Sequence, residues 1–197
     1  MAPPSQSPRR TRERRAPRPL DAARLDELAL AYVARFATSA AKLGDYCRRK
    51  LRERGWTGQD EGSQPPDVCA LVARFVAAGY VDDAAFARAR TGSLLRRGYG
   101  ERRIEQALRG AGIGDEDRQG ARHSQRAARE AALALLRKKG FGPFAKGELA
   151  SREQRQKQLA AMLRAGHPLD IARELLNAAS EEEALSWVEE CDDDDQV

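Results

Sequence analysis

Two carboxylates stand side by side at Asp82-Asp83, an arrangement that in a cleft can do general acid–base work or hold a cation. Here they follow Gly79-Tyr80-Val81 and precede the run Ala84-Ala85-Phe86, so a helix N-cap with a second acid in its first turn explains them better than catalysis does. The two histidines, His123 and His167, are far apart in sequence, and neither belongs to a Ser or Cys pattern that would signal a nucleophile with its base. Gly98-Tyr99-Gly100 could be a fragment of a phosphate-binding loop, but it follows a helical pattern rather than a strand and lacks both a third glycine and a Gly-Lys-Ser/Thr ending. A tight interhelical turn is the simpler reading. Three cysteines, Cys47, Cys69 and Cys191, form neither a CxxC pair nor a ligand set with the histidines. They read as reduced thiols, with Cys47 and Cys69 expected in the core as small hydrophobes. The chain is therefore expected to be no enzyme and to need no cofactor or metal.

Arginine is the residue type with chemistry to offer. Arg48, Arg49 and Arg52 in one segment, and Arg96, Arg97, Arg102, Arg103 and Arg109 in another, flank helix ends and could form one electropositive stripe. Such a stripe can meet phosphates or an acidic protein surface. Phosphate contacts would be salt-sensitive and indifferent to sequence, because released counterions supply the affinity. A helix-turn-helix over Glu101 to Arg126 is disfavoured, since its second half is too polar and Gly-interrupted for a recognition helix.

The elements that must carry these residues are helical. Leu25, Leu28, Ala29, Tyr32, Val33 and Phe36 make one apolar stripe; Ser39 can cap a helix carrying Leu43, Tyr46, Cys47 and Leu51 and ending at Gly55. The loop Thr57 to Pro66 leads to Asp67, a cap for Val68, Leu71, Val72, Phe75 and Val76. Asp82 opens a helix that runs to about Arg97, followed by a short helix holding Ile104, Ala107 and Leu108. Gly114 to Gln125 reads as a polar stretch, and Ala128 to Leu136, Ser151 to Ala165 and Pro168 to Ala178 read as helices. No segment alternates as a strand would, and isoleucine occurs only at 104, 113 and 171.

The net charge of +5 over 197 residues hides a polarised distribution: residues 1–20 carry +5, residues 181–197 carry −9, and the segment between them +9. A basic body with an acidic tail suggests attraction to a polyanion or an acidic protein surface, with the tail able to compete for the same patch. No run of 18 apolar residues and no apolar leader core is present, so a cytoplasmic protein that avoids membranes is expected, and a monomer.

A repeat lies beneath the helices. Leu51-Arg52-Glu53-Arg54-Gly55-Trp56, Leu108-Arg109-Gly110-Ala111-Gly112-Ile113 and Leu163-Arg164-Ala165-Gly166-His167 recur at a spacing of about 55 residues. Each places a glycine after a basic helix end and then a side chain able to fold back on the helix. The expected architecture is all-α: three tandem three-helix repeats forming an elongated, curved body, with repeats at 21–81, 82–126 and 127–180, a basic disordered arm at 1–20 and an acidic tail at 181–197.

These features resemble one known family. Gly79-Tyr80-Val81-Asp82-Asp83-Ala84-Ala85-Phe86-Ala87, continued by Arg97-Gly98-Tyr99-Gly100-Glu101-Arg102-Arg103-Ile104 within three helical repeats, looks like RecX, and the resemblance spans roughly Leu25 to Ala178. It implies a regulator that binds RecA filaments on DNA and restrains ATP hydrolysis, strand exchange and co-protease activity, with the basic surface offering a contact for single-stranded DNA. The chain departs from the pattern in two places. Ser39-Ala40-Ala41-Lys42-Leu43 lacks the acid that would complete a capping box, and the third repeat carries a polar insert from Gly142 to Glu153 and His167 where an aromatic is usual. The competing reading is a sequence-independent nucleic-acid-binding module with no recombinase partner.

Overall fold

The computed structural model describes residues 18–145 and 151–190. Its elements are α1 (Ala22–Val33), α2 (Ala40–Arg54), α3 (Val68–Ala77), α4 (Asp83–Arg96), α5 (Glu101–Arg109), α6 (Asp115–Gly120), α7 (Gln125–Lys139), α8 (Arg152–Arg164), α9 (Leu169–Asn177) and α10 (Glu181–Glu189). Short 3-10 turns occupy Gln59–Glu61 and Gly142–Phe144. Among the described residues the only β-type pairing is an isolated bridge between Leu20 and Trp56, so the body is all-α.

Three separate apolar clusters follow the chain order. Leu25, Ala29, Leu43, Cys47, Leu71 and Phe75 close the first; Ala87, Leu94, Ile104, Leu108 and Ile113 the second; Leu136, Met162, Ala172, Leu175 and Val188 the third. Each buried Leu or Ile contributes about 1.5–3 kcal/mol to its unit. The caps follow the sequence: Asp21, Ser39, Asp67, Asp82, Ser124 and Ser151 each accept a backbone N–H from the first turn they precede.

Several expectations need correcting. The polar stretch after Gly114 contains α6, a helix with no buried residue of its own. It is held by Ile113 and Ala121, buried at its two ends, and by Arg118, whose side chain is only 14% exposed, pairs with Asp115 and Glu105 and donates to the Ile113 carbonyl. The arm is ordered from Arg18: Leu20 is fully buried and exchanges backbone hydrogen bonds with Gly55 and Thr57, both at 3.0 Å. Residues 1–17 lie outside the described residues, as do 191–197 and part of the polar insert, 146–150. The acidic tail does not begin at 181. Glu181–Glu189 is α10, capped by Ser180, with Ala184 and Val188 buried against the third cluster and the Arg129 guanidinium 3.9 Å from the Trp187 ring centroid. Three glutamates in its first turn suit the positive end of the helix. Cys47 is buried but Cys69 is exposed, because α3 turns Val68, Leu71 and Phe75 inward and leaves position 69 on the opposite side. Phe36 lies beyond the end of α1 and is 55% exposed.

Candidate binding surface at the joint of repeats two and three

The end of α4 sets the geometry. Gly98, at φ +80°, lets the Tyr99 N–H reach the Leu94 carbonyl at 3.1 Å and its own N–H reach Leu95 at 2.8 Å, the paired bonds of a Schellman end. The same pattern closes α5 through Ile113 to Leu108 and α8 through His167 to Met162, as the repeat predicts; α2 differs, because Gly55 hands the chain to the bridge with Leu20. The two turns at 98–100 and 165–167 then bind each other. Gly100 N–H donates to the Ala165 carbonyl at 3.0 Å, Arg102 N–H to the Gly166 carbonyl at 3.2 Å, and His167 Nε2 lies 3.0 Å from the Gly98 carbonyl. A carbonyl can only accept, so Nε2 carries the proton and Nδ1 is left buried with no hydrogen-bond partner. Burial holds the His167 pKa below the usual histidine range, opposed by the bond to Gly98.

This joint places two hollows back to back around Tyr99. One, of about 300 Å³, is lined by Arg90, Arg97 and Arg103; the other, of about 310 Å³, by Arg97, Lys138, Lys139 and Arg164. Tyr99 lines both, with the Arg97 guanidinium 5.3 Å from its ring centroid, and Phe141 adds an aromatic edge to the second. Arg103 donates to Gln106 at 2.9 Å; none of these six cations has an ion pair with a described residue. Unneutralised cations around a half-buried tyrosine make a surface for phosphates or carboxylates.

The structure brings Arg97 and Arg103 together there, and leaves Arg96 and Arg102 exposed nearby in the chain. Arg48 and Arg49 line neither hollow: they pair with Asp45 and Glu53 along α2, beside the exposed Arg52. Arg109 is tied to Glu105 at 2.7 Å. Arg90, Lys138, Lys139 and Arg164 were not singled out by the sequence, although Lys138-Lys139 directly before Gly140-Phe141 and Arg164 inside the repeat signature were there to be read.

The Asp82-Asp83 pair divides its work between two helices. Asp82 caps α4 through Ala85 N–H at 2.8 Å, whereas Asp83 reaches back to accept Ala40 N–H at 2.8 Å, at the first turn of α2. Ser39 donates to the Ala111 carbonyl at 2.5 Å and Lys42 stands over the Phe86 ring, so repeats one and two are joined through helix starts and ends. Among the described residues no three His, Cys, Asp or Glu side chains are grouped to hold a metal, and no helix is long and apolar enough to cross a membrane.

Known proteins align with this arrangement. The family model for the second three-helix domain of RecX matches residues 82–121. The "Regulatory protein RecX" of Myxococcus xanthus (strain DK1622) is 32% identical over 166 residues, covering 82% of this chain and 89% of the relative. The crystal structure of RecX from Lactobacillus salivarius superposes with a TM-score of 0.60 at 15% identity, over 85% of this chain and 96% of that one, and so shares the fold. Identity of this level over most of both lengths, on a helical repeat body whose central unit carries the matching motif, shows that the chain belongs to the RecX family.

Proposed function

We propose that the protein is a regulator that binds RecA filaments assembled on DNA and restrains their ATP hydrolysis, strand exchange and co-protease activity. The carrying observation is the unneutralised, tyrosine-centred basic surface at the joint of repeats two and three, in a body of the RecX family. It acts by binding, as a cytoplasmic monomer, with no chemistry of its own. Contact falls on Arg97, Arg102 and Arg103 with Arg90, Lys138, Lys139 and Arg164, and extends through Arg96 and Arg109 to Arg48, Arg49 and Arg52 of repeat one. Several weak contacts made at once along a repeating filament reinforce one another, since each later contact is intramolecular.

The test is DNA-dependent ATP hydrolysis by the cognate RecA with increasing amounts of the protein, beside binding to bare single-stranded DNA. Substoichiometric inhibition with weak bare-DNA binding is expected, and Arg97→Glu with Arg103→Glu should lower inhibition at least tenfold without unfolding the chain. Tight binding to bare DNA with no inhibition would refute the reading and leave a sequence-independent nucleic-acid module.

A further inference from the structure

A second basic cleft lies on repeat three, away from Tyr99. It measures about 420 Å³ and is bounded by Arg152, Arg155 and Gln156 of α8 and by Arg173 and Asn177 of α9, over a half-buried apolar floor of Leu159 and Leu176. None of its three guanidiniums has an ion pair with a described residue; the one acid of the first turn of α8, Glu153, is taken by Lys157 at 2.6 Å. Arg152 is the first residue of α8, where the positive end of the helix disfavours a cation. Three uncompensated positive charges, two amides and an apolar floor suit carboxylates carried on a short peptide, for which the guanidinium fork is shaped.

The chain has such a peptide within reach. α10 starts four residues after Asn177 and packs on α7 and on the 142–144 turn, with the Trp187 carbonyl accepting from Arg129 at 2.7 Å near the start of α7. Its nine residues make a helix only about 13 Å long. Beyond Glu190 come Cys191 and then four consecutive aspartates, Asp192 to Asp195, the last of them five residues on and up to about 17 Å away when extended. We propose that the cleft between α8 and α9 is the seat of the chain's own Asp192–Asp195 segment, whose carboxylates neutralise Arg152, Arg155 and Arg173.

The test uses the full chain with Cys69→Ser, leaving Cys47 buried and Cys191 as the reporter. Under mild oxidation at low salt, Gln156→Cys in the cleft should form a disulfide with Cys191 at least tenfold faster than Lys157→Cys, and adding Arg155→Gln with Arg173→Gln should abolish that preference. A second measurement uses a fluorescein-labelled peptide of residues 191–197. It should bind the chain truncated after Glu190, which keeps α10, at least tenfold more tightly than the full chain, in which the cleft is filled. Equal crosslinking at positions 156 and 157 overturns the proposal. Equal peptide binding by the truncated and full chains also overturns it, and leaves the cleft to an acidic segment of another protein.

Discussion

Replacing Gly100 with alanine tests the joint between repeats two and three. Gly100 sits at φ −88°, a backbone open to any residue, so conformation does not forbid the change. Space does: an added Cβ would lie 2.4 Å from the Gly166 carbonyl carbon and 2.5 Å from the His167 nitrogen, both backbone atoms that cannot rotate away. Relief requires the 98–100 and 165–167 turns to separate by about 1 Å, which breaks the bonds from Gly100 to Ala165, Arg102 to Gly166 and His167 to Gly98. At about 1 kcal/mol each the loss is about 3 kcal/mol. Alanine also restricts the unfolded chain and returns about 0.4–1 kcal/mol, so the net destabilisation is about 2 kcal/mol. The sequence holds two tryptophans, Trp56 in repeat one and Trp187 in repeat three, so single-tryptophan variants report the two ends separately in urea. The Trp187 transition should shift down by about 1 M, given slopes of about 1–3 kcal/mol per M, with a smaller shift at Trp56. Gly120→Ala, at a helical glycine with nothing within 4 Å of an added Cβ, should instead be neutral or stabilising. A Gly100→Ala protein whose Trp187 transition stays within 0.5 kcal/mol of the parent, a threshold set by the spread of surface substitutions at about that size, refutes the close-packed joint.

Protonation loads the same joint differently. Burial lowers the His167 pKa in the folded state, so the unfolded chain binds more protons as pH falls below about 6.5, and stability present above that pH is lost on acidification. His123 is shifted in the same direction by burial, so the pH slope should shrink in His167→Gln and flatten further with His123→Asn, measured by urea midpoints between pH 7.5 and pH 5. Burial pushes the Cys47 thiol up to about 11. Iodoacetamide should therefore modify Cys69 in the native protein and reach Cys47 only on unfolding, read by peptide mass mapping. Asp83→Ala leaves Ala40 N–H without its acceptor and should cost about 1 kcal/mol, seen chiefly at Trp56; an unchanged Trp56 midpoint would mean that the contact is idle.

Periodicity carried most of the helices because their apolar residues recur on one face, as Leu25 and Ala29 or Ile104 and Leu108 do. What escaped is physically specific. α6 has no apolar face to read, being fixed by Arg118 and its two anchored ends, and α10 was obscured by its four glutamates although Ala184 and Val188 stand at i and i+4. Cys69 was misplaced because a neighbour of Val68 on the helix is a full 100° round its axis. The basic site was legible only in part: Arg97 and Arg103 are near in sequence, whereas Arg164 comes to Tyr99 through bonds between turns more than 60 residues apart and Lys138 and Lys139 through the packing of α7 on α4, and no local pattern announces such contacts. The capping acid is missing after Ser39, as the sequence shows, and the next amide, Ala40 N–H, finds its acceptor in another repeat.

The bond from Ala40 to Asp83 has a consequence for how the protein is made. Asp83 follows Ala40 by 43 residues, so the amide that opens α2 leaves the ribosome well before its acceptor does. At elongation rates of about 5–20 residues per second the gap lasts about 2–9 seconds, far longer than the time a helical unit needs to collapse. The first core nevertheless needs Phe75 and Val81, which precede Asp83 by only a few residues, so repeat one closes and its second helix gains its acceptor at nearly the same moment. The start of repeat two thus emerges together with the last core residues of repeat one, and the two are joined as soon as both exist.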